Sequence, residues 1–359
     1  MTNKKISNFE FATLNYFITR AFLVGITFNV LINVMKQDSW IIPLLSIIPA
    51  LILILFINYI MNYEPNLDLS EKIIKLFKRK LGIVIIIIFT IVFYFVGLLN
   101  YLNLNNFIQS QFLNKTPFWA ISIMFAIATY YVLSKGLDVV ARTSSILFYI
   151  NIILFVLSLI GLLSGIQLDN LKPLLTSSIK DYSQGLNSYY AFNIVPMLLL
   201  TTIPKDKIKN PKVKKTLTIS YILSATTLFL IIFNTIAVFG YELSRLYEYP
   251  QFLVLKHVTL VGLSSRIESI LIMQLLLDIF ILNTFIVYFL SRNIKSIFNT
   301  KKSNILYFII CALIVAGTTY FSKYNIYLDS LMEKVIPITI SIFSILIILI
   351  ICLKIKMSK

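Results

Sequence analysis

Apolar residues run along this chain in long blocks separated by short polar stretches, without the strict alternation of half-buried strands. Ten blocks reach membrane-span length: residues 9 to 35, 41 to 61, 82 to 106, 117 to 134, 143 to 165, 187 to 204, 216 to 240, 266 to 291, 304 to 322 and 334 to 353. A helix of about 20 apolar residues crosses a hydrocarbon core, so the pattern predicts an all-α polytopic membrane protein with ten transmembrane helices. The stretch "DLSEKIIKLFKRK", residues 68 to 80, sets Leu69, Ile73, Ile74 and Phe77 at helical spacing opposite lysines, as in a helix lying on a membrane surface. Residues 241 to 265 form a long connection, apolar in parts, expected to fold over the extracellular mouth. The segment Phe9 to Met35 has no small-residue cleavage site and is expected to remain as the first span.

Composition agrees: 58% of the 359 residues are hydrophobic and 13% charged, which is far from the balance of a soluble domain. The net charge of +17 accompanies abundant Lys, Ile, Asn, Tyr and Phe, as a low-GC genome produces, and does not imply nucleic acid. Where the cations fall is more informative. With a cytoplasmic N-terminus, 22 of the 32 Lys and Arg residues lie in inner segments and 9 in outer ones, with Arg20 inside a span. Retention of positive charge on the cytoplasmic side therefore places both termini there. Cys311 and Cys352 lie far apart in apolar runs, His257 reads as a loop residue, and the acids are scattered. No metal site, cofactor or catalytic cluster is expected, which argues against a membrane-embedded enzyme.

Five spans followed by five must enter the membrane with opposite orientation the second time. The count therefore predicts a 5+5 inverted repeat in one transporter-like domain, repeat one over residues 9–165 and repeat two over 187–353. Pro196 lies near the middle of span six, in "YYAFNIVPMLLLTTIP", where its missing N–H and its ring open or kink the helix. Span one, the symmetry mate, has a single glycine, Gly25, flanked by Arg20, Thr27 and Asn29. Discontinuous helices 1 and 6 are the expectation, with a simple packing kink as the alternative. Arg20 in span one and Asp278 in span eight are costly inside a bilayer. Either they form an ion pair, a fixed cation standing in for a bound sodium ion, or they snorkel separately or face separate cavities.

Several stretches resemble the B-subunit spore germination permeases of the amino acid, polyamine and organocation transporter superfamily. "KQDSWIIPLL" (36 to 45) resembles their Asp-Ala-Trp stretch at span two, with Ser39 for Ala. "KGLDVVARTSSILFYINIILF" (135 to 155) resembles their span-five opening, through Gly136 and Arg142, and "LDNLKPLL" (168 to 175) their Asn-Leu-x-Pro-x-Leu segment. The longest match, residues 239 to 270, carries Phe-Gly, then Tyr249-Pro250, then Arg266-Ile-Glu268. Two departures concern the ligand region: Gly25 stands alone where the family has a Gly-x-Gly-like break followed by proline, and Asn193 with Pro196 replaces Gly-Glu in span six.

The resemblance implies a germinant-receptor membrane subunit in the inner membrane of an endospore. It would work with an A-type membrane subunit and a C-type lipoprotein, and bind a small nutrient such as an amino acid. Gly25, Thr27, Tyr94, Tyr189, Tyr190 and Asn193 are the candidate substrate-binding residues; Arg20, Asp278 and Pro196 are structural or coupling candidates. Helix ends exposed by the breaks suit a zwitterion. The tyrosines either close over its apolar part, with Tyr94 opposite Tyr189 and Tyr190, or serve in packing and interface anchoring. An amino acid permease, coupled to protons through Asp278 or facilitative, is the alternative function.

Overall fold

The structure, a computed structural model, describes residues 5–257, 268–300 and 302–358. It is built from helices. In chain order these are α1 Asn8–Ile18, α2 Phe28–Met35, α3 Ile42–Leu45, α4 Ile47–Asn62, α5 Leu69–Gln111, α6 Phe118–Ser134 and α7 Leu137–Leu162. There follow α8 Ile179–Tyr189, α9 Val213–Leu246, α10 Pro250–His257, α11 Glu268–Phe298, α12 Ser303–Phe321, α13 Asn325–Glu333 and α14 Val335–Met357. The Arg266 motif, the rest of the connection beyond His257, and the side chains of His257 and Glu268 lie outside the described residues.

Among the described residues, seven helical stretches are long and apolar enough to cross a membrane, and α6 is a shorter apolar helix. The first of the seven, Asn8–Asn62, has 55 residues, more than twice what one crossing needs, and is interrupted between α1 and α2 and again between α2 and α4. The centre of the bundle is filled by α1, α2, the segment after α8, α9 and α11, with Phe17, Leu200 and Phe285 fully buried. Outward faces of α4, α7, α12 and α14 expose Ile48, Ile153, Phe308 and Leu346. Apolar side chains on such a rim are stable only with lipid as solvent. The chain is an integral membrane protein.

Local sequence sets where helices begin. Ser7, Asp68 and Ser178 each cap a helix and share a reciprocal bond with an acid three residues on, at Glu10, Glu71 and Asp181. The amphipathic stretch after Asp68 is continuous with α5 but turns sharply at Lys78 (φ 59°, ψ 164°). Gly82 permits this fold-back, because a Cβ there would come within 2.9 Å of the Ile74 Cα. Leu69 and Ile73 are thereby buried, while Lys78, Arg79 and Lys80 stay on the surface.

Near this lysine-rich end the chain is tied together. Ile6 pairs with the 207–209 segment, donating to the Lys207 carbonyl and accepting from Lys209 N, each at 2.8 Å. Asp68 is fully buried and also takes the guanidinium of Arg292 from α11, with Nε at 2.7 Å. Asp68→Ala removes both a cap and an ion-pair partner. It should lower the thermal midpoint in detergent more than Asp68→Asn, which keeps the cap; the cap alone is worth about 1 kcal/mol.

The motif residues tie down the opposite end. Asp38, fully buried, accepts from the backbone N–H groups of Leu175 and Ser177 at 2.8 and 2.9 Å. Asn170 donates to the Ala237 carbonyl at 3.0 Å, just before α9 turns at Gly240 (φ 72°). Both residues hold connections in place.

Candidate functional site

Two interruptions meet inside the bundle. In the first, α1 stops at Ile18, tight turns follow, and Val24 (φ −75°, ψ 125°) and Gly25 (φ 89°, ψ −70°) leave helical geometry before α2 starts. Gly25 is close to a γ-turn conformation, which is strained for residues with a side chain. A Cβ there would also overlap Asn103 Oδ1 and approach Tyr249 Cε1 to 2.9 Å. Asn103 on α5 satisfies the break, its Nδ2 donating to the Val24 carbonyl at 2.8 Å. Tyr249 supports Asn103 in turn, donating to its carbonyl at 3.4 Å, with its ring centre 4.8 Å from that of Phe107. Irregular backbone is tolerated at membrane depth where protein groups pair it in this way.

In the second interruption, α8 passes into a π-type turn over Tyr190–Ile194 and then a 3-10 stretch over Val195–Thr202, with Pro196 as its second residue. Asn193 clasps this segment to the first: its Oδ1 accepts from the Thr27 hydroxyl and its Nδ2 donates to the Thr19 carbonyl, both at 2.9 Å. All three residues are fully buried. Asn193→Leu roughly preserves size but strands these groups, at about 1–3 kcal/mol for each one left unpaired. A clear drop in the detergent thermal midpoint is expected; an unchanged midpoint contradicts the clasp.

Arg20 and Asp278 form a buried ion pair, Nε to Oδ2 3.2 Å, with side chains 1% and 7% exposed. Arg20 Nη1 also donates to Thr227 Oγ1 at 2.9 Å and to the Tyr16 hydroxyl. Tyr16 donates to Asn151 Oδ1 at 3.2 Å, and Asn151 Nδ2 reaches Asp278 Oδ1 at 3.5 Å. The network joins α1, α7, α9 and α11 through side chains that no single helix could satisfy.

Beside Gly25 lies a cavity of about 180 Å³, lined by Asn29, Asn33, Asn103, Asn106, Glu248 and Glu333 with Ile26, Val30, Leu102 and Met332. Asn29 Nδ2 donates to the Glu248 carbonyl at 3.0 Å and Asn33 Nδ2 to Glu333 Oε1 at 3.3 Å. Among the described residues, two glutamates and four asparagines line it, with no Lys or Arg. Such a lining attracts positive charge and repels anions.

The six candidate substrate residues are therefore divided. Gly25 lines this cavity, while Thr27 and Asn193 bind each other. Tyr189 is fully buried in packing, and Tyr190 faces a separate lateral cavity. Tyr94 is turned to α12, donating to the Leu313 carbonyl at 2.8 Å, because Gly317 leaves room for its hydroxyl. The tyrosines do not converge, since hydropathy does not fix the rotation of a helix about its axis. Sequence reading noted Asn29 only as a flank of Gly25 and passed over Asn33, Asn103, Asn106, Glu248 and Glu333. A signal was present: Asn29 and Asn33 are four apart and Asn103 and Asn106 three apart, which puts each pair on one helix face.

A membrane helix bundle in which two interrupted helices meet, with a small polar cavity against the first of them, has the fold seen in secondary transporters. The fold matches that of a Na+-coupled sialic acid symporter in a substrate-bound outward-open state, with TM-score 0.65, 12% identity, and 93% of this chain and 77% of that one covered. It also matches a manganese transporter of Eremococcus coleocola, with TM-score 0.58, 10% identity, and 94% and 76% covered. The chain belongs to the spore germination protein family, whose model matches residues 9–326. Spore germination protein YndE of Bacillus subtilis (strain 168) is 25% identical over 175 residues, 48% of either chain. Putative spore germination protein YfkT of the same organism is 24% identical over 240 residues, 66% of this chain and 64% of the relative. The chain thus matches about half to two thirds of the length of these curated relatives. Family and fold together are consistent with the amino acid, polyamine and organocation transporter superfamily.

Proposed function

We propose that this protein is the B subunit of a spore nutrient germinant receptor, binding a small amine-bearing nutrient, an amino acid in the simplest case, beside Gly25. The observation that carries this reading is the polar cavity of about 180 Å³ against the interrupted first helix, with Glu333 and Asn29, Asn33 and Asn103 of the first and third crossings in its lining and, among the described residues, no Lys or Arg. Drug-sized ligands occupy pockets of about 300–1,000 Å³, so a smaller molecule is implied. Its ammonium group would sit beside Glu333, Asn29 and Asn33, and its carboxylate toward the N-terminal end of α2.

The accompanying topology is ten crossings in a 5+5 inverted repeat, residues 9–165 and 187–353, with the lysine-rich end in the spore core and the cavity on the outer side. The first and sixth crossings are the discontinuous ones. Thr27, Asn193 and Pro196 form the hinge between them, with Tyr189 and Tyr190 at its margin. The Arg20–Asp278 pair serves where a bound sodium ion would otherwise hold the first helix. The subunit would reside in the inner membrane of the endospore with an A-type membrane subunit and a C-type lipoprotein.

The test is a binding titration of purified protein with an amino acid and its N-acetyl derivative. Acetylation removes the positive charge and should abolish binding; equal affinity for both forms overturns the reading. Glu333→Gln should weaken binding about tenfold or more, the loss of a hydrogen bond to a charged group. The transporter fold of the structural neighbours favours one second reading, an amino acid permease coupled to protons through Asp278 or facilitative. Uptake of labelled amino acid into vesicles supports it, whereas germination lost on deletion without an uptake defect supports the receptor.

A further inference from the structure

A second cavity, of about 390 Å³, lies between α4, α8 and α14, and its lining is built for an amphiphile. One end is polar, with Asn187, Tyr190 and Ser341; the rest is a wall that includes Leu53, Phe56 and Ile348. Among the described residues, no charged side chain lines it. Ser341 is only 4% exposed, yet its hydroxyl has no hydrogen-bond partner among the described residues. A buried hydroxyl left unpaired is costly and marks a place where a ligand oxygen gains a bond.

The arrangement also has a direction. Ser341 lies near the start of α14, and Ile345, Ile348 and Leu349 follow it on the same side, one to two turns further along. Ile52, Ile345 and Leu349 are 40% exposed or more, so the cavity opens sideways where the surface is apolar. With the lysine-rich end in the core, the polar end sits toward the outer leaflet and the apolar wall toward the bilayer centre. In the crossings 187–204 and 334–353, Asn187 stands at interface depth and Tyr190 and Ser341 one to two turns deeper, with the apolar wall below them, which suits one lipid chain whose ester region enters beside Asn187.

We propose that this lateral cavity binds one acyl chain of an outer-leaflet glycerolipid, its ester carbonyl accepting from Ser341, Tyr190 or Asn187. Neutrality of the lining selects the carbonyl region over the charged headgroup, since no side chain there pairs with phosphate. The site also has a route to the interruption in the bundle. Tyr190 opens the π-type turn, and Asn193, three residues later, carries the clasp to Thr27 and Thr19. Lipid occupancy therefore bears on the same turn that holds the two interruptions together.

The experiment is photo-crosslinking of full-length protein in lipid vesicles, using a phosphatidylglycerol with a diazirine in the middle of one acyl chain and mapping adducts by peptide mass. Adducts should concentrate on Leu53, Phe56, Ile348 and Leu349 over the equally lipid-facing Ile153 and Phe308, and excess unlabelled lipid should compete them away. Leu53→Trp, which fills the cavity, should lose most of that labelling while adducts at Phe308 persist. Ser341→Ala leaves the space open and should weaken competition by intact lipid without abolishing labelling. Labelling spread evenly over the lipid-facing surface, or unchanged in Leu53→Trp, overturns the proposal. Thermal midpoints of both variants, measured alongside, confirm that each one folds.

Discussion

Replacing either Arg20 or Asp278 by a neutral residue is expected to remove most of the folded protein from the membrane. The pair is almost fully buried, and each partner is the other's counter-charge at 3.2 Å. Removing one partner leaves an uncompensated charge at a cost of about 3–5 kcal/mol, a large part of a typical stability of about 5–15 kcal/mol. Reversing both charges, Arg20→Asp with Asp278→Arg, should restore accumulation above either single reversal. The match will be incomplete, because Thr227 and Tyr16 are placed for a guanidinium on α1's side of the pair. Paired neutral substitution, Arg20→Met with Asp278→Leu, should also accumulate better than Arg20→Met or Asp278→Leu alone, since no buried charge remains. Membrane fractions quantified by blotting, with thermal midpoints in detergent, give the ordering. Double variants no better than the single ones contradict a direct pair.

Gly25→Ala is expected to be nearly as damaging, although it adds one methyl group. Two costs add up. Backbone strain at positive φ is on the order of 1–3 kcal/mol for a residue with a side chain. The new Cβ then overlaps Asn103 Oδ1, so Asn103 must turn away and release the Val24 carbonyl it satisfies. A carbonyl stranded at that depth adds about 1–3 kcal/mol. Asn103→Ala isolates the second cost, because it loses the hydrogen bond and keeps the glycine. The expected order of thermal midpoints is wild type, then Asn103→Ala, then Gly25→Ala; a Gly25→Ala protein as stable as wild type removes the basis for a required break.

Much of this architecture could be read from the chain, for reasons specific to membranes. Apolar blocks must be long because the bilayer is thick, so the helices announce themselves, and the surface stretch after Asp68 is visible through its helical spacing of Leu69, Ile73 and Phe77. Gly25 and Pro196 mark the interruptions because few other residues leave helical geometry cheaply. The short helix α13 was not legible, since nine residues with a mixed face carry little periodic signal.

The cavity was harder to read. Glu248 lies in a connection and Glu333 ends the short helix α13, and both reach Asn29 and Asn33 only through tertiary packing. Tyr94 and Tyr190 resemble ligand contacts in sequence but face α12 and α14, because neighbouring glycines and serines, not hydropathy, set helix rotation. Several motif residues have mechanical roles. Asp38 and Asn170 hold connections, and Tyr249 braces the residue that pairs Val24. Family resemblance carried by such positions identifies the scaffold more firmly than its ligand.

Cysteine accessibility at the cavity tests the central claim most directly. In a background with Cys311 and Cys352 replaced by serine, Asn33→Cys is treated with a membrane-impermeant thiol reagent from each side of sealed vesicles of known orientation. The account predicts labelling from the outer side alone, slowed by a nutrient with a free amine and unaffected by its N-acetyl form. Labelling from the lysine-rich side, or labelling that no amine-bearing nutrient slows, contradicts it.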